Sequence, residues 1–397
     1  MTPAPSLVIS AARIVDARGV VSDRTDIRIE GSRITAVGDV EPGGTVQVID
    51  AAGRTVCPGL MNAHVHVCFD GSADPEPTYR SESDAETAMR ALPRLAETLS
   101  RGITSVRDLG GKEGVTLALA RLGAEDLVAI PRILAAGRVV TMTGGHGHWM
   151  GIEVDGPDEA RRATRRMLQA GAGVIKVMAT AGMMTAGQRA GAPQLGVAEM
   201  EACVEEAHEA GVGVAAHVEG TEGAADAIAA GVDSIEHGHG LDEAQLEAMI
   251  DAGIVLVPTI ACDRAITRRG RAAGIPGFIV DDCARLAPSL ERALTRAIEL
   301  GVRIAAGNDG GAPLTASGDL VDELAVYVEL GMTPVQALAS ATSIAAELFG
   351  WPDVGLVEPG HEADLLLVSG DPCESVEALR DPDLVIARGR VVPPALN

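Results

Sequence analysis

Apolar and polar positions follow two different patterns along the chain. Both ends carry short apolar stretches separated by turn residues, without a helical period: SLVISAARIVD (6–16), DIRIEGSRITAVG (26–38) and TVQVIDAAG (45–53) near the start, ADLLLVSG (363–370) and DLVIARGRVV (383–392) near the end. Such stretches are typical of strands and hairpin arms. We therefore predict a small β-sandwich domain built from both termini, residues 1–55 plus 361–397.

The middle of the chain, residues 56–360, repeats a short apolar run, a Gly-rich or polar segment and an amphipathic helix. The apolar runs are TVCPGLMNAH, ITSVRDLG, RILAAGRVV, GVIKVMAT, GVGVAAHVE, DSIEHG, GIVLVPTIA and RIAAGND. Several helix candidates between them, such as DEARRATRRMLQAG and LDEAQLEAMIDAG, end in Ala-Gly, a common helix C-terminal signal. Apolar strands alternating with helices indicate a parallel sheet buried on both faces. Eight of them predict a (β/α)8 TIM barrel, an α/β fold.

Composition narrows the possible partners. The chain has 397 residues, of which 47% are apolar and 22% charged, as in globular proteins. Its net charge of −24 repels phosphate backbones and anionic lipids, so we predict no nucleic-acid and no membrane partner. No G-x-G-x-x-G or GxxxxGK[ST] motif follows a strand, which argues against nucleotide binding.

Cysteine usage and the N-terminus predict the compartment. The six cysteines are scattered without a CxxC pair, which is typical of free thiols in a reducing compartment. The N-terminal residues lack the pattern of a signal peptide, and no apolar run reaches the ~18 residues that span a bilayer. We predict a cytoplasmic protein that forms a homo-oligomer.

Candidate chemistry begins with two histidines at the end of the first apolar run. His64 and His66 are two residues apart, so on a strand both imidazoles point to the same side. They are either a divalent metal site or two unrelated histidines on one strand face. Later runs end in His217, His237 and Asp309, and the carboxyl ends of barrel strands meet on one rim. This convergence favours the metal site.

Lys176 lies inside the otherwise apolar run GVIKVMA. A lysine buried in a parallel strand is costly unless it is paired with a carboxylate or loses its charge. A neutral amine can react with carbon dioxide to give a carbamate, which is an anionic bidentate ligand for two metal ions. With histidines and an aspartate at other strand ends, we favour the carbamate over a buried ion pair.

The segments PGLMNAHVHV, VRDLGG, GGHGHWMG, GVIKVMATAG, VAAHVEGTEGAADAIAAGVDSIEHG and AAGNDGG resemble the amidohydrolase superfamily. The resemblance extends over essentially the whole chain and is to the binuclear-metal branch of imidazolonepropionase-like proteins and Xaa-Pro or Xaa-Arg/Lys dipeptidases. It implies two divalent ions, zinc in our prediction. His64, His66 and Asp309 would hold one ion, His217 and His237 the other, and carboxylated Lys176 would bridge them with a hydroxide.

The same resemblance implies a mechanism. The bridging hydroxide would attack the scissile carbonyl, and the second metal would stabilise the oxyanion. Asp309 is the implied catalytic residue, because it would accept the proton of the hydroxide and deliver it to the leaving amine.

Four further residues are candidates for substrate binding. His146 and His148 lie in a Gly-rich loop after the third run, and Met183 lies in the long segment 180–197, a candidate lid like the segment 263–285. Glu219 stands where dipeptidase relatives often carry Tyr or His. Its carboxylate would bind a cationic substrate group or pair with a local base such as Arg189.

We therefore predict a metal-dependent hydrolase that cleaves an amide C–N bond in a small molecule, a dipeptide or an N-acyl amino acid. The alternatives are a cyclic amide of the imidazolone or hydantoin kind, or a lactone. Deamination is disfavoured because His217 and Glu219 form H-x-E rather than the H-x-x-E of superfamily deaminases. A non-enzymatic scaffold is disfavoured because all six ligands are retained.

Overall fold

The computed structural model describes residues 6–40, 46–51 and 53–393. Residues 1–5, 41–45, 52 and 394–397, which belong to the predicted terminal domain, lie outside the described residues. The strands are β1 (Leu7–Asp16), β2 (Gly19–Glu30), β3 (Arg33–Gly38), β4 (Gln47–Asp50), β5 (Thr55–Pro58), β6 (Leu60–Val65), β7 (Ile103–Asp108), β8 (Arg132–Ala135), β9 (Val139–Met142), β10 (Gly151–Val154), β11 (Val174–Met178), β12 (Gly213–Val218), β13 (Ser234–His237), β14 (Val255–Val257), β15 (Leu365–Val368), β16 (Leu384–Ala387) and β17 (Arg390–Val391).

The helices are α1 (Glu76–Ser81), α2 (Asp84–Ser100), α3 (Glu113–Ala124), α4 (Pro157–Ala170), α5 (Val197–Glu209), α6 (Thr221–Ala230), α7 (Glu243–Ala252), α8 (Ile260–Arg269), α9 (Gly277–Leu300), α10 (Leu320–Glu329), α11 (Pro334–Ser340) and α12 (Ser343–Phe349), with 3-10 turns at His148–Met150 and Val376–Leu379. The ends of these helices carry the capping residues that the sequence pattern indicates. Asp242 accepts from the backbone of Gln245 at the start of α7, and Gly171 and Gly253 end α4 and α7 in the left-handed conformation. The Ala-Gly signals therefore mark true helix ends.

Strands from both ends of the chain share one sheet. Its order is β17-β16-β15-β5-β1-β2-β3, with β4 paired to β1. One face buries a separate apolar cluster whose members include Leu7, Ile9, Ile27, Ile29 and Leu365. The alternation of apolar residues seen at both termini therefore serves a common core.

The middle strands pair in parallel. They form the series β6-β7-β8 and β10-β9-β11-β12-β13-β14, in which every pairing is parallel. All residues of β11 and β13 are buried, as expected for strands covered on both faces. The chain thus has an α/β fold with parallel strands.

Backbone hydrogen bonds connect the two parallel series. On one side, the Gly173 N–H donates to the Ala135 carbonyl over 2.9 Å, next to β8 and β11. On the other, the Leu256 N–H donates to Arg303, and the Ala63 N–H donates to Ala306 over 2.7 Å. The predicted eighth run, 303–309, therefore lies between β14 and β6.

Two predicted strands are wrong in their bounds. The run 55–64 divides at Gly59, where an added Cβ would overlap the Thr104 side chain. Its first half, β5, belongs to the terminal sheet, and only β6 lies among the parallel strands. The run 132–140 divides into β8 and β9 at Gly137, whose φ is +72°. In both runs a glycine turns the backbone without interrupting the apolar composition.

The segment 263–285, expected to be a second long connection like 180–197, is largely helical and belongs to α8 and the first turns of α9. Within the described parts of the chain, no helix combines the length and the apolar character that crossing a membrane requires. The six cysteines are free, and five of them are buried.

Candidate metal centre

The ends of β6 and of the 303–309 segment bring three ligand side chains together. The Nε2 atoms of His64 and His66 each lie 3.4 Å from Asp309 Oδ1. One ligand atom of each residue lies within 4.8 Å of the others. These three residues, predicted from two strand ends, form one potential metal site.

A second group lies beside the first. It consists of His217 at the end of β12, His237 at the end of β13 and Glu219, again with ligand atoms within 4.8 Å of one another. The ring centroids of His217 and His237 are 4.7 Å apart, and those of His64 and His237 are 5.0 Å apart. The two groups therefore share one cavity.

Lys176 projects from β11 into the same cavity. Its side chain is almost fully buried, and its Nζ has no hydrogen-bond partner among the described residues. The buried ion pair considered from the sequence is thus not formed there. Burial lowers the pKa of Lys176 to about 8, since the interior disfavours the ammonium form.

Hydrogen bonds to Nδ1 fix how several histidines present their other nitrogen. The Nδ1 of His66 donates to the Gly110 carbonyl over 2.8 Å, and the Nδ1 of His237 lies 2.7 Å from the Thr259 hydroxyl. Nε2 is then the atom that faces the cavity. Burial, followed by neighbouring charged groups, lowers the pKa of His64, His217 and His237 well below the ordinary value, so the imidazoles are neutral.

A buried charged network holds His64 from behind. Its Nδ1 lies 2.8 Å from Glu236 Oε2, and the other oxygen of Glu236 accepts from Arg107 over 2.7 Å and from Ser234 over 2.6 Å. Arg107 also donates to the Ala63 carbonyl. Neither Arg107 nor Glu236 is among the candidates named from the sequence. A carboxylate inside the buried run DSIEHG, like the lysine in GVIKVMA, was the available signal.

Two of the potential ligands and a residue that contacts one of them have strained backbone conformations. His237, Asp309 and Thr259 have φ angles of +67°, +56° and +55°, in the left-handed region that residues other than glycine seldom adopt. Such conformations persist where the surrounding structure imposes them, often at functional sites. At His237 and Asp309 the left-handed turn directly follows a parallel segment.

The walls of the cavity are apolar and aromatic. Phe69, Trp149, Met150, Met178, Met183 and Met184 line it together with the ligand side chains. Phe69 stacks on His66 with ring centroids 5.0 Å apart, and Tyr79 packs against Phe69 and Trp149. The sequence predicted Met183 here but missed the aromatic cluster, whose members come from separate loops and a helix.

His146 and His148 occupy different environments. His146 lines the cavity, its ring stacks on His217 at 4.4 Å, and its Nδ1 lies 2.9 Å from the Thr185 hydroxyl. Burial lowers the pKa of His146 to about 3, so it is neutral. His148 is not among the lining residues, and its Nδ1 donates to Gly145.

Glu219, His239 and His208 each contact a different partner. Glu219 lies 3.6 Å from His217 Nε2, and in the described part of the chain it forms no ion pair with Arg189 or another arginine. His239 contacts Asp263 over 2.7 Å and belongs to neither of the two ligand groups. His208 contacts Asp233, outside the centre.

The donor set fits divalent ions. His64 Nε2, His217 Nε2, Asp309 Oδ1 and Lys176 Nζ are buried without a hydrogen-bond partner among the described residues. Buried polar atoms left in this way are costly, and their clustering in one cavity requires a common partner. Neutral imidazoles and carboxylates are the ligands that zinc and similar ions take in proteins.

Comparisons with known proteins identify the family of this chain. The model of the amidohydrolase family matches residues 55–392. Ochratoxinase of Aspergillus niger is 32% identical over 362 residues, which cover 83% of this chain and 73% of the relative. Imidazolonepropionase of Symbiobacterium thermophilum is 30% identical, covering 93% and 92%. A crystal structure of a Xaa-Pro dipeptidase with methionine bound in its active site matches with a TM-score of 0.89 at 31% identity, covering 97% and 99%.

The chain therefore belongs to the amidohydrolase family, and it is an enzyme of that class, a hydrolase of carbon–nitrogen bonds. The family generally uses divalent metal ions. The resemblance to the imidazolonepropionase and dipeptidase branch that the sequence motifs indicated is confirmed.

Proposed function

We propose that the chain is a binuclear metal-dependent hydrolase that cleaves the amide C–N bond of a dipeptide or an N-acyl amino acid. The observation that carries this proposal is the pair of buried ligand groups in one cavity with the unpartnered Nζ of Lys176. Similarity to a Xaa-Pro dipeptidase and to ochratoxinase supports an amide as the substrate.

In this proposal His64, His66 and Asp309 would hold one zinc ion and His217 and His237 would hold the second. Lys176, as a carbamate formed from CO2, would be a ligand shared by the two ions. When bound, the ions would supply an acidified water as nucleophile and polarise the scissile carbonyl.

The side chains of this protein would handle the proton and orient the substrate. Asp309 would accept the proton released at the nucleophile and return it to the leaving amine. His146 has its Nδ1 engaged by Thr185, which leaves Nε2 for the substrate oxyanion or a carboxylate. Met183 and the aromatic wall would exclude water from the cavity. We keep His148 as a candidate for substrate binding, in which it would act indirectly by holding the loop that carries His146.

The architecture proposed with this function is a closed (β/α)8 barrel, residues 56–360, with a composite β-sandwich domain from 1–55 and 361–397. The links through Gly173, Leu256 and Ala63 support closure, and the shared terminal sheet supports the composite domain. We further propose a cytoplasmic homo-oligomer, supported by the scattered free cysteines for the compartment.

A cyclic amide is the second candidate substrate. The observation that favours it is the similarity to an imidazolonepropionase over 93% of the chain. Hydrolysis of a cyclic amide opens a ring and releases no separate amine, so Asp309 would return its proton to a nitrogen that stays on the product.

Metal analysis and a substrate panel test the proposal. The purified chain loaded with Zn2+ is expected to bind two equivalents and to hydrolyse members of a library of dipeptides, N-acyl amino acids and cyclic amides. The metal-free chain is expected to be inactive. Failure to bind two ions, or metal-independent turnover, would contradict the proposal.

A further inference from the structure

We propose that Glu219 is a third protein ligand of the second metal, together with His217 and His237. This inference rests on the proposed binuclear centre and adds a carboxylate to a site for which the sequence predicted only two histidines and the bridging groups. Three observations carry it: the spacing of the donor atoms, the absence of a cation beside Glu219 and its position on the chain.

The spacing of donor atoms is the same in both groups. His217 Nε2 and Glu219 Oε1 are 3.6 Å apart, and the corresponding His-to-Asp309 distances in the first group are 3.4 Å. Two donors that bind one tetrahedral zinc at ~2.1 Å lie roughly 3.4 Å from each other. The distance between His217 and Glu219 is therefore close to the spacing of two donors on one metal ion.

Among the described residues Glu219 has no other counterion. Its side chain is 6% exposed, its only ion-pair contact in the described chain is His217, and its Oε2 has no hydrogen-bond partner there. A buried carboxylate without a cation is costly. A metal ion would remove that cost and at the same time use the unpartnered Nε2 of His217.

The local backbone holds the carboxylate in place. The Glu219 N–H donates to the Thr180 hydroxyl over 2.9 Å, and its carbonyl lies against Gly191, where a Cβ has no room. Glu219 thus follows β12 on a turn anchored to the 180–197 segment. Because the N–H and the carbonyl of Glu219 are both fixed, its side chain starts from a defined position, as a metal ligand must.

The test is a zinc titration of the metal-free full chain against a chromogenic chelator. The variant is Glu219→Gln, which keeps the shape and removes the charge, and the matched control is Glu222→Gln, an exposed glutamate three residues further on. Losing a supporting group behind a metal ligand costs about 10–100-fold in metal affinity, so losing a direct ligand should weaken one of the two sites about 100-fold. The control should bind both ions as the wild type does.

Glu219→His separates a ligand from a cation-binding residue. Histidine can ligate zinc but cannot attract a cationic substrate, so metal affinity should stay within about tenfold of the wild type. If Glu219→Gln does not fold, Glu219→Ala titrated with and without acetate replaces it, and acetate should restore the lost affinity.

The outcomes are distinguishable from those of the proposed function. If the wild type binds two ions and cleaves amides while Glu219→Gln binds zinc like the control, the ligand role is overturned and the proposed function stands. Unchanged affinity with a raised KM for basic dipeptides would assign Glu219 to a cationic substrate group instead. A wild type that binds fewer than two ions overturns both.

Discussion

Two regions of this protein bury carboxylates to nearly the same extent and treat them differently. Asp364, where the terminal sheet meets β8, is 4% exposed, and Glu219, at the metal centre, is 6% exposed. Both oxygens of Asp364 accept hydrogen bonds, from Arg132 Nε over 3.1 Å and from the Arg388 N–H over 2.6 Å. Glu219 Oε2 and Asp309 Oδ1 have no donor in the described structure.

The difference separates a structural charge from a functional one. At the sheet, guanidinium and backbone donors meet each oxygen, so the charge stabilises the junction. At the candidate centre, carboxylate oxygens lie 3.4–3.6 Å from the Nε2 atoms of neutral histidines. This arrangement is unfavourable until a cation enters, because the histidines do not balance the carboxylate charge. The Arg107–Glu236 pair is a structural pair like that at the sheet, since each charge has a partner. It also supports the candidate centre, because Glu236 contacts His64.

Replacing Lys176 should have the largest effect. Lys176→Ala removes the proposed bridge, and since bound metals supply several kcal/mol of transition-state stabilisation, kcat/KM should fall about 1000-fold or more. Metal content should fall with it, and added formate should partly restore both. The chain has one other lysine, and Lys112→Ala is therefore the matched control. Two metals and full activity in Lys176→Ala without formate would disprove the bridge.

Breaking the pair behind His64 should destabilise the fold. Glu236→Gln leaves the buried guanidinium of Arg107 without its counter-charge, which should lower the free energy of unfolding by about 3–5 kcal/mol. Urea denaturation of the metal-free chain measures this. Glu243→Gln, which disrupts an exposed pair with Arg296, should leave the free energy of unfolding nearly unchanged, because exposed ion pairs contribute little. Equal costs for the two variants would contradict the structural role of the pair.

At the terminal sheet, a comparable change should affect stability alone. Asp364→Asn weakens the charge-assisted hydrogen bonds from Arg132 and the Arg388 backbone and should cost about 1.5–3 kcal/mol. The exposed Asp381→Asn is the control. Metal affinity and kcat/KM of the folded variants should equal those of the wild type, and a change in either would show that the two regions are coupled.

Carbamate formation should depend on pH in a defined direction. Burial lowers the pKa of Lys176 to about 8, and only the neutral amine reacts with CO2. At constant dissolved CO2, the initial rate of 13CO2 addition to the metal-free chain should therefore rise about tenfold per pH unit up to about 8 and level off above it, because this rate follows the fraction of neutral amine. NMR detection with Lys176→Ala as the blank measures this. A profile flat below pH 8 would contradict the assignment.

Much of the candidate centre was predictable from the sequence, because its potential ligands occupy the ends of apolar runs. His64, His66, His217, His237 and Asp309 each follow such a run, and the parallel strands bring those ends together. The bounds of β5 and β9 were not predictable, because a glycine can divide an apolar run without changing its composition. The pairing of Thr55–Pro58 with β1 and β15 was not predictable either, because an apolar pattern does not show which strands are neighbours.

The sequence by itself determined which side chains could ligate a metal and the parallel α/β pattern that carries them, since both depend on local period and residue type. Only the tertiary structure decided that Glu236 links His64 to Arg107 and that Glu219 faces His217. It also gathered Phe69, Tyr79 and Trp149, three of the seven aromatic residues of the chain, into one wall. These contacts join residues far apart in the chain, so they depend on packing between strands and loops that no local pattern encodes.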